Sequence, residues 1–113
     1  MQHKKPPKFT ETTDTDGQAV VLVELNNIPG VSVKLLKDDF SSLADRGLNN
    51  YSWYAVRTKN FLYAVTPDRT TGRPVLRTVA SLVLNPKKRE QVTYKDGNPF
   101  NLRRDNLILR RFK

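Results

Sequence analysis

The apolar residues of this chain fall in short runs separated by turn-forming residues, and the runs keep two different periods. Residues 19–25 (AVVLVEL) are dense in branched apolar side chains, which suit a pleated surface, and predict a strand. The cluster Asn26-Asn27-Ile28-Pro29-Gly30 follows. Asn and Gly tolerate positive φ and Pro29 lacks an amide donor, so it predicts a turn. Val31, Val33 and Leu35 then alternate with other side chains, a second strand that makes a hairpin with the first. Over 38–48 the period lengthens. Phe40, Leu43 and Ala44 share one helical face, Asp38 or Asp39 can cap the first turn, and Gly47 suits a left-handed stop.

Residues 51–57 and 61–66 predict a second hairpin around Thr58-Lys59-Asn60. It carries Trp53, Tyr54, Phe61 and Tyr63. On strands such residues serve either as core and cross-strand pairs or as a base-stacking face of the kind RNA-binding sheets use. Residues 67–74 (PDRTTGRP) read as a loop. Val75, Leu76, Val79, Ala80 and Val83 then recur at helical spacing between Pro74 and Asn85-Pro86, which predicts a helix over 75–84, with a strand at its Val-rich start as the alternative. Lys87-Lys88-Arg89 is a basic connector, residues 91–95 predict a strand, and Asp96-Gly97-Asn98-Pro99 is a strong turn signal. Asn101 can cap a short helix over 102–107, and 108–112 finish extended. Residues 1–17 hold one large apolar side chain, Phe9, too little to offset the entropy of ordering. They predict a flexible basic and polar tail, with 18–113 as a single domain.

Composition narrows the chemistry. The chain has 113 residues and no cysteine, so one domain is expected without disulfides, cysteine-ligated zinc, iron–sulfur clusters or thiol catalysis. Its one histidine, His3, lies in the Lys/Pro-rich leader, which argues against a histidine triad or a histidine-rich metal site. No metal and no cofactor are expected. No apolar run approaches the roughly 18 residues of a membrane span, and the leader has no apolar stretch of a secretory signal, so no membrane association is expected. The glycines, at 17, 30, 47, 72 and 97, are scattered as turn residues and form no phosphate loop. The formal charge is +9. Residues 1–72 hold nine basic and eight acidic groups, whereas 73–113 hold eleven basic and three acidic. That asymmetry points to a polyanion-facing surface, with nucleic acid the commonest partner, or else to a solubilising surface or a patch for an acidic protein.

One segment carries more than local signals. Gln91–Leu107 (QVTYKDGNPFNLRRDNL) resembles the ββα element of the HNH endonucleases, particularly the small phage-type group with a pattern near V-D-H-x-D-G-N-P-L-N-N-R-R-S-N-L. The agreement runs through Val92, Asp96, Gly97, Asn98, Pro99, Asn101, Arg103, Arg104, Asn106 and Leu107. Upstream, residues 79–84 stand where the family has a segment like L-H-R-L-I, and Asp38-Asp39-Phe40 resembles its D-x-D-[YF]. The resemblance spans about residues 19–109. It implies a small mixed α+β domain with two β-hairpins, short helices and a C-terminal ββα element, together with phage origin and the bacterial cytoplasm as compartment.

The departures from that pattern fall on its chemistry. The family's Asp-His pair, a metal ligand and the general base, corresponds to Thr93 and Tyr94, and its earlier His to Ala80. A threonine hydroxyl is a poor ligand for a hard divalent cation beside a carboxylate. A phenol with a pKa near 10 is about one-thousandth ionised at pH 7 and makes a weak general base. The resemblance further implies that Asn98 bridges the two sides of the loop and that Asn106 stands where the family helps to hold its metal. The expectation is therefore a catalytically inactive HNH-like protein that binds nucleic acid, DNA favoured over RNA, with no catalytic residue. The candidate phosphate contacts are Lys87, Lys88, Arg89, Lys95, Arg103, Arg104, Arg110 and Arg111, joined by the helix N-terminus near Asn101, with Arg69, Arg73 and Arg77 as a possible extension. The alternative is an interaction protein that inhibits or modulates a host or viral protein, the fold serving as scaffold. A third reading keeps an active nuclease with unusual ligands, Tyr94 as nucleophile or Asp96 as ligand.

Overall fold

In the computed structural model, which describes residues 6–59, 61–69, 72 and 75–111, the chain folds as three small antiparallel sheets joined by two short helices. The first sheet runs β1 (Phe9–Thr13), β2 (Ala19–Glu24), β3 (Ser32–Leu36) in chain order. The 19–25 run forms β2, and the predicted hairpin with β3 is made, with Val23 opposite Val33 and Val21 opposite Leu35. All four are fully buried, because residues two apart on a strand share a face.

β1 departs from the expected tail. Phe9–Thr13 pairs along its whole length with β2, from Phe9 opposite Val23 to Thr13 opposite Ala19. Every side chain of β1 is exposed, so hydropathy carries no trace of it. Its stability comes from backbone hydrogen bonds, from Phe9 packing on Phe40 at 4.8 Å and from the Lys37–Glu11 ion pair at 2.9 Å. The ordered fold thus begins before residue 18.

Helix α1 (Lys37–Asp45) buries Phe40 and Leu43, as the period predicts. Neither aspartate caps it. Leu36 holds the N-cap position without a side-chain bond, and Asp38 and Asp39 sit inside the first turn, where a negative charge favours the helix dipole. Gly47, at φ +77°, makes the left-handed stop that a side chain would disfavour.

The second sheet is β4 (Tyr54–Arg57), β5 (Leu62–Asp68) and β6 (Val75–Thr78). β5 continues through Pro67, which had been expected to open a loop. Pairing with β4 ends at Val65, so Pro67 loses no ladder bond on that side and faces Leu76 of β6 on the other. The predicted helix over 75–84 divides at Thr78: four residues pair with β5, and only Val79–Leu84 form a helix, α2. The open alternative of a strand start is the one realised, helped by the Arg77–Asp68 ion pair at 2.9 Å. Asn85, left-handed at φ 55°, closes α2 as its position predicts. Pro74, offered as the N-terminal punctuation, lies outside the described residues.

The third sheet pairs β7 (Glu90–Tyr94) with β8 (Leu107–Arg111). The helix expected over 102–107 is absent. Only Arg104–Asn106 take a single 3-10 turn, and Leu107 already belongs to β8. The C-terminal segment is thus a strand, a long loop and a strand, with no α-helix after them among the described residues. Leu102 and Leu107 are drawn into the core rather than wound on a helix face. That core lies between the sheets, around Trp53, whose indole N–H donates to the Leu48 carbonyl at 3.0 Å.

Candidate functional site

The three positions where the family-like pattern lacks its chemistry converge. Ala80 on α2 and Thr93 and Tyr94 on β7 line one pocket of about 500 Å³. Phe61 and Tyr63 of the second hairpin also line it, and Glu90 and Gln91 extend the lining along β7. Burial raises the Tyr94 phenol above its ordinary value, with the neighbouring Tyr63 adding to the effect. Tyr94 is therefore a neutral hydrogen-bond donor at pH 7, less ionised than a free phenol. Among the described residues, no group of three His, Cys, Asp or Glu side chains is arranged to hold a metal ion.

Asn106 is engaged elsewhere. Its Nδ2 donates to Asp96 Oδ1 at 2.9 Å and to the Asn101 carbonyl at 3.0 Å, and its Oδ1 accepts the Asp96 amide at 3.1 Å. Asp96 also accepts the Asn98 amide at 2.8 Å and Asn101 Nδ2 at 2.9 Å. These bonds, the Asn101 side chain foremost, hold the Asp96 carboxyl below its ordinary range. The bridge across the loop, expected of Asn98, is made by Asn106; the Asn98 side chain accepts the Phe100 amide at 3.0 Å in a local turn. The loop is stitched to the first sheet through Lys34, whose amide donates to the Phe100 carbonyl at 2.9 Å and whose carbonyl accepts the Leu102 amide at 2.7 Å. The amides expected to offer phosphate donors near Asn101 are therefore committed to protein acceptors.

The eight basic candidates divide. Arg103 is buried, 8% exposed, and caged by carboxylates: Asp14 at 2.7 Å, Asp16 at 2.7 Å and Asp105 at 2.7 Å. Arg104 pairs with Asp39 at 2.9 Å and donates to the Val83 carbonyl at 2.9 Å, tying α1 to the end of α2. The other six, Lys87, Lys88, Arg89, Lys95, Arg110 and Arg111, are all exposed. Five meet at the open end of the β7–β8 hairpin, since Glu90 pairs with Arg111 and Gln91 with Arg110 directly after Lys87-Lys88-Arg89. That turn is closed twice: the Glu90 amide donates to the Lys87 carbonyl at 3.0 Å, and Glu90 Oε1 accepts the Lys87 amide at 2.7 Å. Lys95 lies beyond the other end, roughly 13 Å away at strand rise.

Of the suggested extension, Arg77 is paired with Asp68, Arg69 lies 4.8 Å over the Tyr51 ring, and Arg73 is outside the described residues. Of the hairpin aromatics, Trp53 is core, whereas Phe61 is 57% exposed and stacks on Tyr63 at 5.8 Å with 23° between the rings. Sequence reasoning missed Gln91 as a pocket residue; its place two residues before Thr93 on a strand was the available signal. Comparison with protein-family models, with curated proteins and with solved structures finds no match to this chain.

Proposed function

We propose that the protein is a non-enzymatic nucleic-acid-binding protein, a catalytically inactive HNH-like domain of phage type that grips the phosphate backbone from the β7–β8 hairpin. One observation carries the reading. Five exposed cations, Lys87, Lys88, Arg89, Arg110 and Arg111, gather at one end of the hairpin that also forms a wall of the pocket at Thr93 and Tyr94. Among the described residues none of the five is in an ion pair, so their field is directed at solvent. Backbone contacts of this sort position a chain on nucleic acid with little sequence selection. DNA is favoured over RNA as the partner. Arg103 and Arg104, neutralised within the fold, are not part of this surface.

Fluorescence anisotropy of a labelled 20-base-pair duplex tests the reading. Micromolar or tighter binding at about 50 mM salt is expected, falling steeply towards 200 mM as condensed counterions are released. No binding at the lower salt, against a charge of +9, overturns it.

The alternative, a domain that docks on a host or viral protein, has its own support in the edge strand β6, where Val75 is 42% and Leu76 53% exposed. Reversing Lys88 and Arg89 to Glu separates the two, because it removes nucleic-acid retention in the first reading and leaves a β6-mediated contact intact in the second.

A further inference from the structure

We infer that the pocket between Phe61 and Tyr94 receives one unpaired base of a single-stranded nucleic acid, stacked on the Phe61–Tyr63 pair. The inference rests on the nucleic-acid reading above and specifies which form of nucleic acid the site selects. Its basis is independent of the charge. Phe61 is a large aromatic ring left 57% exposed, and Tyr63 holds it in a near-parallel stack. Two bonds tie its backbone to Thr58: the Thr58 amide donates to the Phe61 carbonyl at 2.8 Å, and the Thr58 hydroxyl accepts the Phe61 amide at 3.2 Å. An exposed aromatic ring lining a pocket is a stacking platform, because every base offers a π-face.

The pocket suits that guest. Its volume of about 500 Å³ lies within the range of small-molecule sites and leaves room for a base with its sugar. The β7 wall carries Gln91 and Thr93 on one face of the strand and Tyr94 on the other, and their side chains make no hydrogen bond within the described protein. Glu90, the acidic residue of the lining, already accepts the Lys87 amide. The strand that supplies Gln91 and Thr93 begins at the cationic turn, so a backbone following Lys87–Arg89 delivers its base to this wall. A base within a duplex cannot reach it, since both of its faces are stacked and its edge is paired.

The test is a pair of anisotropy titrations at about 100 mM salt, with a labelled 20-nucleotide single strand and with the duplex of the same sequence. The intact protein and the Phe61→Ala and Phe61→Tyr variants are compared. The single strand is expected to bind tighter than the duplex. Phe61→Ala lowers single-strand affinity roughly tenfold and leaves duplex affinity unchanged, and Phe61→Tyr retains both. Exposure of Phe61 makes both variants compatible with folding, which a thermal melt verifies. Unchanged single-strand affinity in Phe61→Ala overturns the base pocket while duplex binding keeps the phosphate surface. Retention of neither probe, even at 50 mM salt, overturns both.

Discussion

The guanidinium of Arg103 donates to Asp14 Oδ2 at 2.7 Å across 89 positions of sequence. With Asp16 it forms a two-bond fork, 3.0 Å from Nη1 and 2.7 Å from Nη2, and with Asp105 a second, at 3.1 and 2.7 Å. The turn between β1 and β2 is thereby clamped to the loop that precedes β8. Lys34 joins the same centre through Asp14 at 2.9 Å. A single arginine thus fastens the first sheet to the third, where planar bidentate recognition makes a guanidinium the fitting cation.

Replacing that arginine is expected to loosen the whole fold. Arg103→Met leaves three aspartates facing one another without their shared counter-charge. A loss on the order of 2–3 kcal/mol is expected, below the roughly 3–5 of a fully buried pair because Asp16 and Asp105 are half-exposed. Arg103→Lys is expected to recover only part of it, since an ammonium lacks the planar fork that makes the two bidentate pairs with Asp16 and Asp105. Urea denaturation followed by far-ultraviolet circular dichroism measures both. An Arg103→Met protein as stable as the original overturns the clamp. The same reasoning makes Arg103 a poor probe of nucleic-acid binding, since its loss lowers binding by unfolding the protein.

The cage also sets an acid limit. Asp14 is held below the usual carboxylate range by the Lys34 and Arg103 side chains, and Asp16 and Asp105 chiefly by Arg103. A carboxyl that binds its proton less readily folded than unfolded contributes stability above its unfolded pKa, near 4, and that stability is lost as pH falls through the lower folded value. The melting temperature is therefore expected to hold nearly constant above about pH 5 and to fall steadily below about pH 4. Melts from pH 2 to 7 check this, with Arg103→Met showing a shallower acid slope. An equal slope in the two proteins places the acid sensitivity elsewhere, at Asp96 first.

Asn106 makes its three bonds while 8% exposed, so its truncation leaves the Asp96 amide and the Asn101 carbonyl without their partner. Asn106→Ala is expected to cost about 2–3 kcal/mol. Asn106→Asp costs more, because it sets a second carboxylate against Asp96. Chemical denaturation gives the order of the three proteins, and adding Mg²⁺ is expected not to change it. A selective rescue of Asn106→Asp by Mg²⁺ would show that this loop can hold a cation after all.

How much of this was legible depends on which force fixes each element. β2, β3, α1 and the 51–66 hairpin bury one face in the core, and burial writes a period into the sequence, so their apolar positions predicted them. β1 has no fully buried side chain, and its cause lies in the backbone edge of β2, in the Phe9–Phe40 contact and in Asp14 and Asp16, which read as ordinary tail residues. The segment 102–107 misled for the opposite reason. Asn101 is a good cap and Leu102 and Leu107 are apolar, but Leu102 is bonded to Lys34 and Leu107 to β7, and those non-local partners override a weak local preference. At the site, Ala80, Thr93 and Tyr94 line one pocket, a convergence that comes from the packing of α2 against β7 and that no local pattern records. Charge alone could not separate caged Arg103 from Arg110, because two of the three caging carboxylates, Asp14 and Asp16, lie nearly ninety positions away.

The cationic turn offers a substitution whose two effects run in opposite directions. Arg89 sits at φ +69°, a left-handed conformation that costs an ordinary side chain roughly 1–2 kcal/mol and glycine little. The strain persists because Glu90 closes the turn on Lys87 from both sides. Arg89→Gly relieves it, and after the greater chain entropy that glycine loses on folding, a gain of about 0.5 kcal/mol in stability is expected. The same change removes one of the five clustered cations. Duplex affinity at about 50 mM salt is expected to fall severalfold, and the slope of log affinity against log salt to drop by about one. Lys88→Gln is expected to lower the slope alike without the stability gain, since no positive φ is relieved there. A more stable Arg89→Gly protein that binds the duplex with undiminished slope removes Arg89 from the phosphate surface and leaves its left-handed backbone without a functional reason.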